Sequence, residues 1–154
     1  MNGNFSKRSS QQGAMLLEAL VAIVIFSMGI LAIVGMQAAA VNNSAESKYR
    51  SDANLLANQL LGEMWVSNRQ PAALRANFQS TAGGGLPVGP LYTAWLGDAT
   101  TDGSVIRTLP GAADFPPTVT VDGGTGQVLI VVRWKAPSDT SAVPHAHTVV
   151  AQIR

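Results

Sequence analysis

Two places in this chain have residue types and spacing that could do chemistry. In QQGAMLLEALVAIVIF, Gln11 to Phe26, Glu18 is the one ionisable side chain, and it stands at the mouth of an apolar run that continues to Met36 without another charge. A carboxylate at mid-helix in hydrocarbon costs on the order of 2.5–3.5 kcal/mol, so a chain heading for a bilayer normally avoids a charge there. The second place is His145-Ala146-His147, which holds both histidines of the chain. In a strand the two rings would project to one face and supply half of a metal site. With no cysteine in the chain and no Asp or Glu within five residues on either side, no further ligand is visible nearby.

Other chemistry finds no motif. There is no GxSxG and no cysteine nucleophile. The glycines at 83–85 and 123–126 lack a P-loop lysine and read as turns. Asp98, Asp102, Asp114, Asp122 and Asp139 all fall in stretches that read as loops, where aspartate is ordinarily a turn former. The expectation is therefore a chain that is no enzyme, with no catalytic residue, no metal site and no cofactor. The formal charge is +1, and once Lys7 and Arg8 are set aside the rest carries eight basic against nine acidic residues, which gives no footprint for nucleic acid.

The elements that position these residues follow from hydropathy. Residues 1–13 form a polar leader with Lys7 and Arg8 as its charges. From Ala19 to Met36 the run of 18 residues makes about 27 Å of helix at about 1.5 Å per residue, close to the hydrocarbon thickness of a bilayer. Residues 14–41 are thus expected to span a membrane once, with the basic leader on the cytoplasmic side and the bulk of the chain exported. The competing reading is a cleaved secretory signal, with Ala38-Ala39-Ala40 as small residues before a cut at Val41. Against it stand a core longer than the usual ~7–15 residues and the carboxylate of Glu18.

After Met36 the period changes. Ala45, Tyr49, Ala53, Leu56, Leu60 and Met64 recur every three or four residues, with Ala57 and Leu61 beside them, and Glu46, Lys48, Arg50, Asp52 and Glu63 are assigned to other faces. No proline precedes Pro71, so this amphipathic stretch, 42–70, is expected to continue the helix of the anchor. A coiled coil would need the repeat to persist for more heptads than it does. Residues 71–154 read as a globular head. It has a short helical piece at Pro71-AALRANF, a flexible loop over 81–90, helical pieces around Leu91-Trp95-Leu96 and Val105-Ile106-Leu109, and a turn at Asp102-Gly103. Trp95 is expected to anchor its core. Strands are expected near 117–122, 127–135 and 148–154, joined by a hairpin at Asp122-Gly-Gly-Thr-Gly126 and a longer connection over 136–144. A meander of three or four antiparallel strands should lay one face on the amphipathic helix, giving an α+β fold.

The stretch Gly13-Ala14-Met15-Leu16-Leu17-Glu18, followed by ALVAIVIFSMGILAIVGMQ and preceded by a short basic leader, resembles the processing signal of type IV pilins and type II secretion pseudopilins. Within that class the order of Glu, aliphatic run, Ser-x-Gly, second aliphatic run and Gln is similar to minor pilins of the PilV type. The resemblance implies a type IV pilin fold and cleavage by prepilin peptidase between Gly13 and Ala14, with methylation of the new amino group on Ala14 by the same enzyme. Glu18 would then pair with the N-terminal amine of a neighbouring subunit or with its own, and serve subunit docking. Alanine stands at position 14 where the family usually has Phe or Met; the glycine before the cut is the more demanding element. Gly29 and Gly35 are places where the helix could loosen on leaving the membrane, and Gly35 with Ala39 makes a small-xxx-small pair.

By the same resemblance the partners are the prepilin peptidase, other minor pilins, the major pilin, the assembly platform of the inner membrane and a tip adhesin. The place of action is the inner membrane and then the pilus filament at the cell surface. The alternatives are a minor pseudopilin of type II secretion and, in a different class, an exported ligand-binding module that the helix merely tethers. Mass spectrometry of the chain isolated from a host with an active prepilin peptidase should find a species beginning at Ala14. A species beginning at Val41 would mean an ordinary signal sequence, and an intact Met1 a permanent anchor.

Overall fold

A computed structural model of the chain describes residues 11–80 and 88–154. The leader up to Ser10 and most of the loop expected at 81–90 lie outside the described residues. The chain divides into two compact units between Asn43 and Ser44. Helix α1 is Gln11–Val66, 56 residues with no proline among them. From Gly13 to Ser44 every side chain is exposed, and the helix is long and apolar enough to cross a membrane. Such an all-round apolar surface suits lipid or a protein interior and not water.

In the second unit the same helix becomes one-sided. Ala53, Leu56, Ala57, Leu60 and Met64 are buried, with Tyr49 and Leu61 packed beside them, while Leu55 on the opposite side is 67% exposed. The helix stops where Ser67 N–H donates to Glu63 O at 3.0 Å and Ser67 Oγ to Met64 O at 2.9 Å. Pro71 then opens α2, Pro71–Phe78, at a position where its missing N–H costs nothing. Helix α2 buries Leu74 and Phe78. Helix α3, Pro90–Leu96, buries Tyr92 and Trp95, and α4, Val105–Thr108, buries Val105 behind an N-cap at Ser104. Between α3 and α4, Gly97 has φ +58°, and a Cβ there would collide with Ser104 Cβ, so the turn requires glycine. The Asp98 carboxylate follows it, accepting from the amides and hydroxyls of Thr100 and Thr101, and these bonds hold its pKa down at about 2.

Three antiparallel strands complete the head in the order β1-β2-β3: β1 Thr118–Val121, β2 Gln127–Trp134 and β3 His145–Gln152. Strand β2 alternates, with Val128, Ile130, Val132 and Trp134 buried, and Val119 and Val121 of β1 join them on the inward face. The register is Val119↔Ile130 and Ile130↔Val149. These side chains and the buried stripe of α1 belong to one core. The layout is α+β, with a long N-terminal helix and a small C-terminal antiparallel sheet.

The β1–β2 hairpin closes by Asp122 N–H donating to Gln127 O at 2.8 Å, and Gly126 takes φ +72°. Strand β3 starts at His145, ahead of the β-branched run that marks a strand from Thr148 in the sequence. The eight residues of β2 offer a full ladder, so pairing runs on to Trp134↔His145. It ends at Gln127↔Gln152, where Ile153 turns inward, is 1% exposed and donates its N–H to Gly126 O at 3.0 Å. Replacing Leu60 by Ala should cost about 2–5 kcal/mol of stability, as for a fully buried leucine, and Leu55→Ala less than about 0.5 kcal/mol. Chemical denaturation of the detergent-solubilised chain, followed by circular dichroism, measures both.

Candidate functional site

The processing and docking residues implied by the resemblance all lie on the first part of α1. The Gly13–Ala14 peptide bond lies near the start of the described part of α1. Glu18 is exposed one turn further on, and among the described residues no cation lies within ion-pair distance of it. It is a carboxylate on an apolar surface, and when this surface is covered the group stays charged only where a positive charge or an N–H donor meets it. The one hydroxyl in the following run, Ser27, is satisfied within the helix by donating to Ile23 O at 2.7 Å. Gly29 and Gly35 sit within α1 without interrupting it, and nothing lies within 4 Å of where their Cβ atoms would be. Each leaves a shallow notch in the apolar surface where another helix can approach.

The second constellation is in the head, and here the two histidines part company. His145 lies opposite Trp134 in the register and stacks on it, ring centroids 5.8 Å apart and planes at 17°. Its Nδ1 is 3.4 Å from Glu46 Oε1, and its Nε2 is 3.1 Å from Asp139 Oδ2. Glu46 Oε2 in turn accepts from Trp134 Nε1 at 3.2 Å. The carboxylates address opposite edges of the ring, so the three groups cannot close on one metal ion, and no cluster of three metal-ligand residues occurs among the described residues. Glu46 Oε1 and Asp139 Oδ2 have no hydrogen-bond partner among the described residues, so what the arrangement does is stitch by charge: once protonated, one imidazole ties α1, the end of β2, the start of β3 and the β2–β3 connection through two ion pairs. His147, on the same strand face, has its Nε2 buried with no hydrogen-bond partner among the described residues.

Sequence reasoning missed this cluster for reasons of distance. Asp139 is six positions before His145, just beyond the window searched for ligands, and Glu46 is 88 positions from Trp134. Glu46 also corrects the assignment of faces on α1. It is half-buried and follows the three-to-four spacing of Tyr49, Ala53 and Leu60, so it belongs to the packing side and not to a solvent face. An acid on an apolar stripe was the available signal, because burying it requires a donor.

A cleft of about 540 Å³ opens where the α1–α2 turn, the β1–β2 hairpin and the end of β3 meet, with Arg69, Arg154, Asn68 and Thr125 in its wall. Its nearby carboxylate, Asp122, is held below the usual value because it accepts the amides of Thr125 and Gly124.

Glu46→Ala leaves the Trp134 indole N–H without its acceptor and should cost about 1–3 kcal/mol of stability. Glu46→Gln, which keeps an acceptor oxygen, should recover much of that loss when denaturation is followed by tryptophan fluorescence. Compared with known proteins, the chain matches no family model, no curated protein and no solved structure, so its α+β layout rests on its own helix and sheet.

Proposed function

We propose that this chain is a minor pilin of the type IV pilus. The observation that carries the reading is the placement of Glu18, five residues after Gly13 in the opening turns of a helix whose first part exposes an unbroken apolar surface and whose later part belongs to an α+β head. In this reading prepilin peptidase cuts before Ala14 and methylates it, the helix holds the chain in the inner membrane with the head in the periplasm, and the assembly platform moves it into the filament. The exposed residues from Met15 to Val41 then exchange lipid for the helices of other minor pilins and the major pilin.

Glu18 gives that exchange its direction. In the bilayer the carboxylate is costly, and in the filament it meets an N-terminal amine in a medium of low dielectric, where a pair is tolerated and a single charge is not. A subunit that docks with the amine out of reach buries an uncompensated charge, so the pair selects the correct axial position. The chain would act with other minor pilins in a tip or priming complex and could present an adhesin there; no step of bond-making chemistry is assigned to it.

Glu18→Ala should leave the protein in the membrane fraction at normal level and remove it from sheared pili, since deleting one member of a buried pair costs about 3–5 kcal/mol. Immunoblots of membrane and pilus fractions read both quantities. Normal incorporation of the alanine variant would count decisively against the proposal.

A further inference from the structure

The two edges of the sheet are finished differently. The outer edge of β1 is closed by Ser80, whose N–H donates to Val119 O at 3.0 Å and whose Oγ accepts from Val119 N–H at 3.0 Å. Along β3, no backbone group beyond those that pair with β2 has a hydrogen-bond partner among the described residues. Nor does this edge carry the devices that usually protect one. HAHTVVAQ has no Lys, Glu or Pro, runs for eight residues without a bulge, and presents Val150 at 59% exposure beside Leu129.

Charge is distributed toward the ends of this strand, with opposite signs. At the His145 end lie the carboxylates of Glu46 and Asp139. At the Gln152 end the chain runs on to Arg154, which shares the 540 Å³ cleft with Arg69, and neither guanidinium has an ion-pair partner among the described residues. A strand laid antiparallel with the same polarity would bring its basic end to the acidic end of this one, and the reverse at the other end. A parallel strand of the same kind would set like charges together.

We propose that β3 is a homotypic interface, on which a second copy of this chain adds its own β3 antiparallel about a two-fold axis, making one sheet continuous across two heads. The pleat requires inward residues to stay opposite inward residues, so the axis passes at a residue and not between two; an axis at Val149, beside the middle of the strand, meets this and sets Arg154 opposite Pro144, next to His145. Thr148 then faces Val150 of the second copy, His147 faces its Ala151, and Arg154 reaches the end of the strand that Glu46 and Asp139 flank. The main chain supplies hydrogen bonds, the outward Thr148–Val150 pairs supply packing, and the ends supply orientation. This inference concerns the head alone and stands whether or not the chain enters a pilus.

The test uses the full chain in detergent. It has no cysteine, so Thr148→Cys and Val150→Cys can each be introduced singly. An equimolar mixture of the two variants should oxidise to a disulfide dimer, while each variant alone should give little, because its own cysteines would stand diagonally at about 7–8 Å. Sedimentation should show a dimer whose dissociation constant rises about tenfold or more in Val150→Lys, which places a charge twice in the interface and leaves the fold intact at this exposed site. Four outcomes overturn the proposal. They are sedimentation as a monomer, a dimer left unchanged by Val150→Lys and so located on the apolar helix, cross-linking of the single variants as strong as that of the mixture, and pairing of β3 with a strand from a different protein in place of its own kind.

Discussion

Five side chains on one stripe of α1, Ala53, Leu56, Ala57, Leu60 and Met64, bury against the inward residues of β1 and β2, and the rest of the head depends on that contact. A three-stranded sheet with one apolar face is barely stable in water by itself. The helix stripe covers Val128, Ile130, Val132 and Trp134 and removes them from solvent. Alanines at 53 and 57 are fully buried beside the bulkier Leu56, Leu60 and Met64, so the stripe alternates small and large side chains within the core.

Around this contact the head is fastened by a few buried polar bonds, each joining the sheet or α1 to a connecting segment. Trp95 Nε1 donates to Leu56 O at 3.1 Å, and Tyr92 Oη donates to Pro117 O at 2.7 Å. Burial raises the pKa of the Tyr92 phenol, which keeps it a donor through the physiological range. Ser80 closes β1, and the Glu46–Trp134–His145–Asp139 group closes the far end of β2 and β3. A buried indole or phenol without an acceptor would cost more than its bond contributes, so these partners fix where the short helix α3 can sit. They also leave β3 as the edge with no covering element among the described residues.

The two units meet their solvents in opposite ways. The second is finished by its own core, whereas the first exposes Met15, Leu16, Leu17 and the aliphatic residues that follow, a surface that water does not tolerate. Such a segment is completed from outside, by lipid or by other helices. Glu18 distinguishes between those two, since lipid tails offer it no partner. In the assembly role proposed above the carboxylate has a partner to meet, whereas a tether has no use for it.

Much of this was legible in the amino-acid order because the governing signals are local. The absence of proline before Pro71 and the change of period after Met36 define α1 and its two halves. Proline at position 71 opens α2, and the alternation of β2 and the Asp122–Gly126 turn define a hairpin, whereas Pro90, read as the end of a loop, in fact opens α3. The motif from Gly13 to Glu18 is likewise contiguous, so the candidate processing site could be read without any fold. What tertiary structure decided was everything that depends on distant residues sharing space. Glu46 moved from a presumed solvent face to the packing side because Trp134 offers it an N–H. His145 became a stitch between two carboxylates and not half of a metal site, and β3 gained three residues at its start because β2 had unpaired backbone to give them. Periodicity reports which side of an element is apolar, but the partner of a polar group is set by the meeting of elements, and that is encoded only in the packing as a whole.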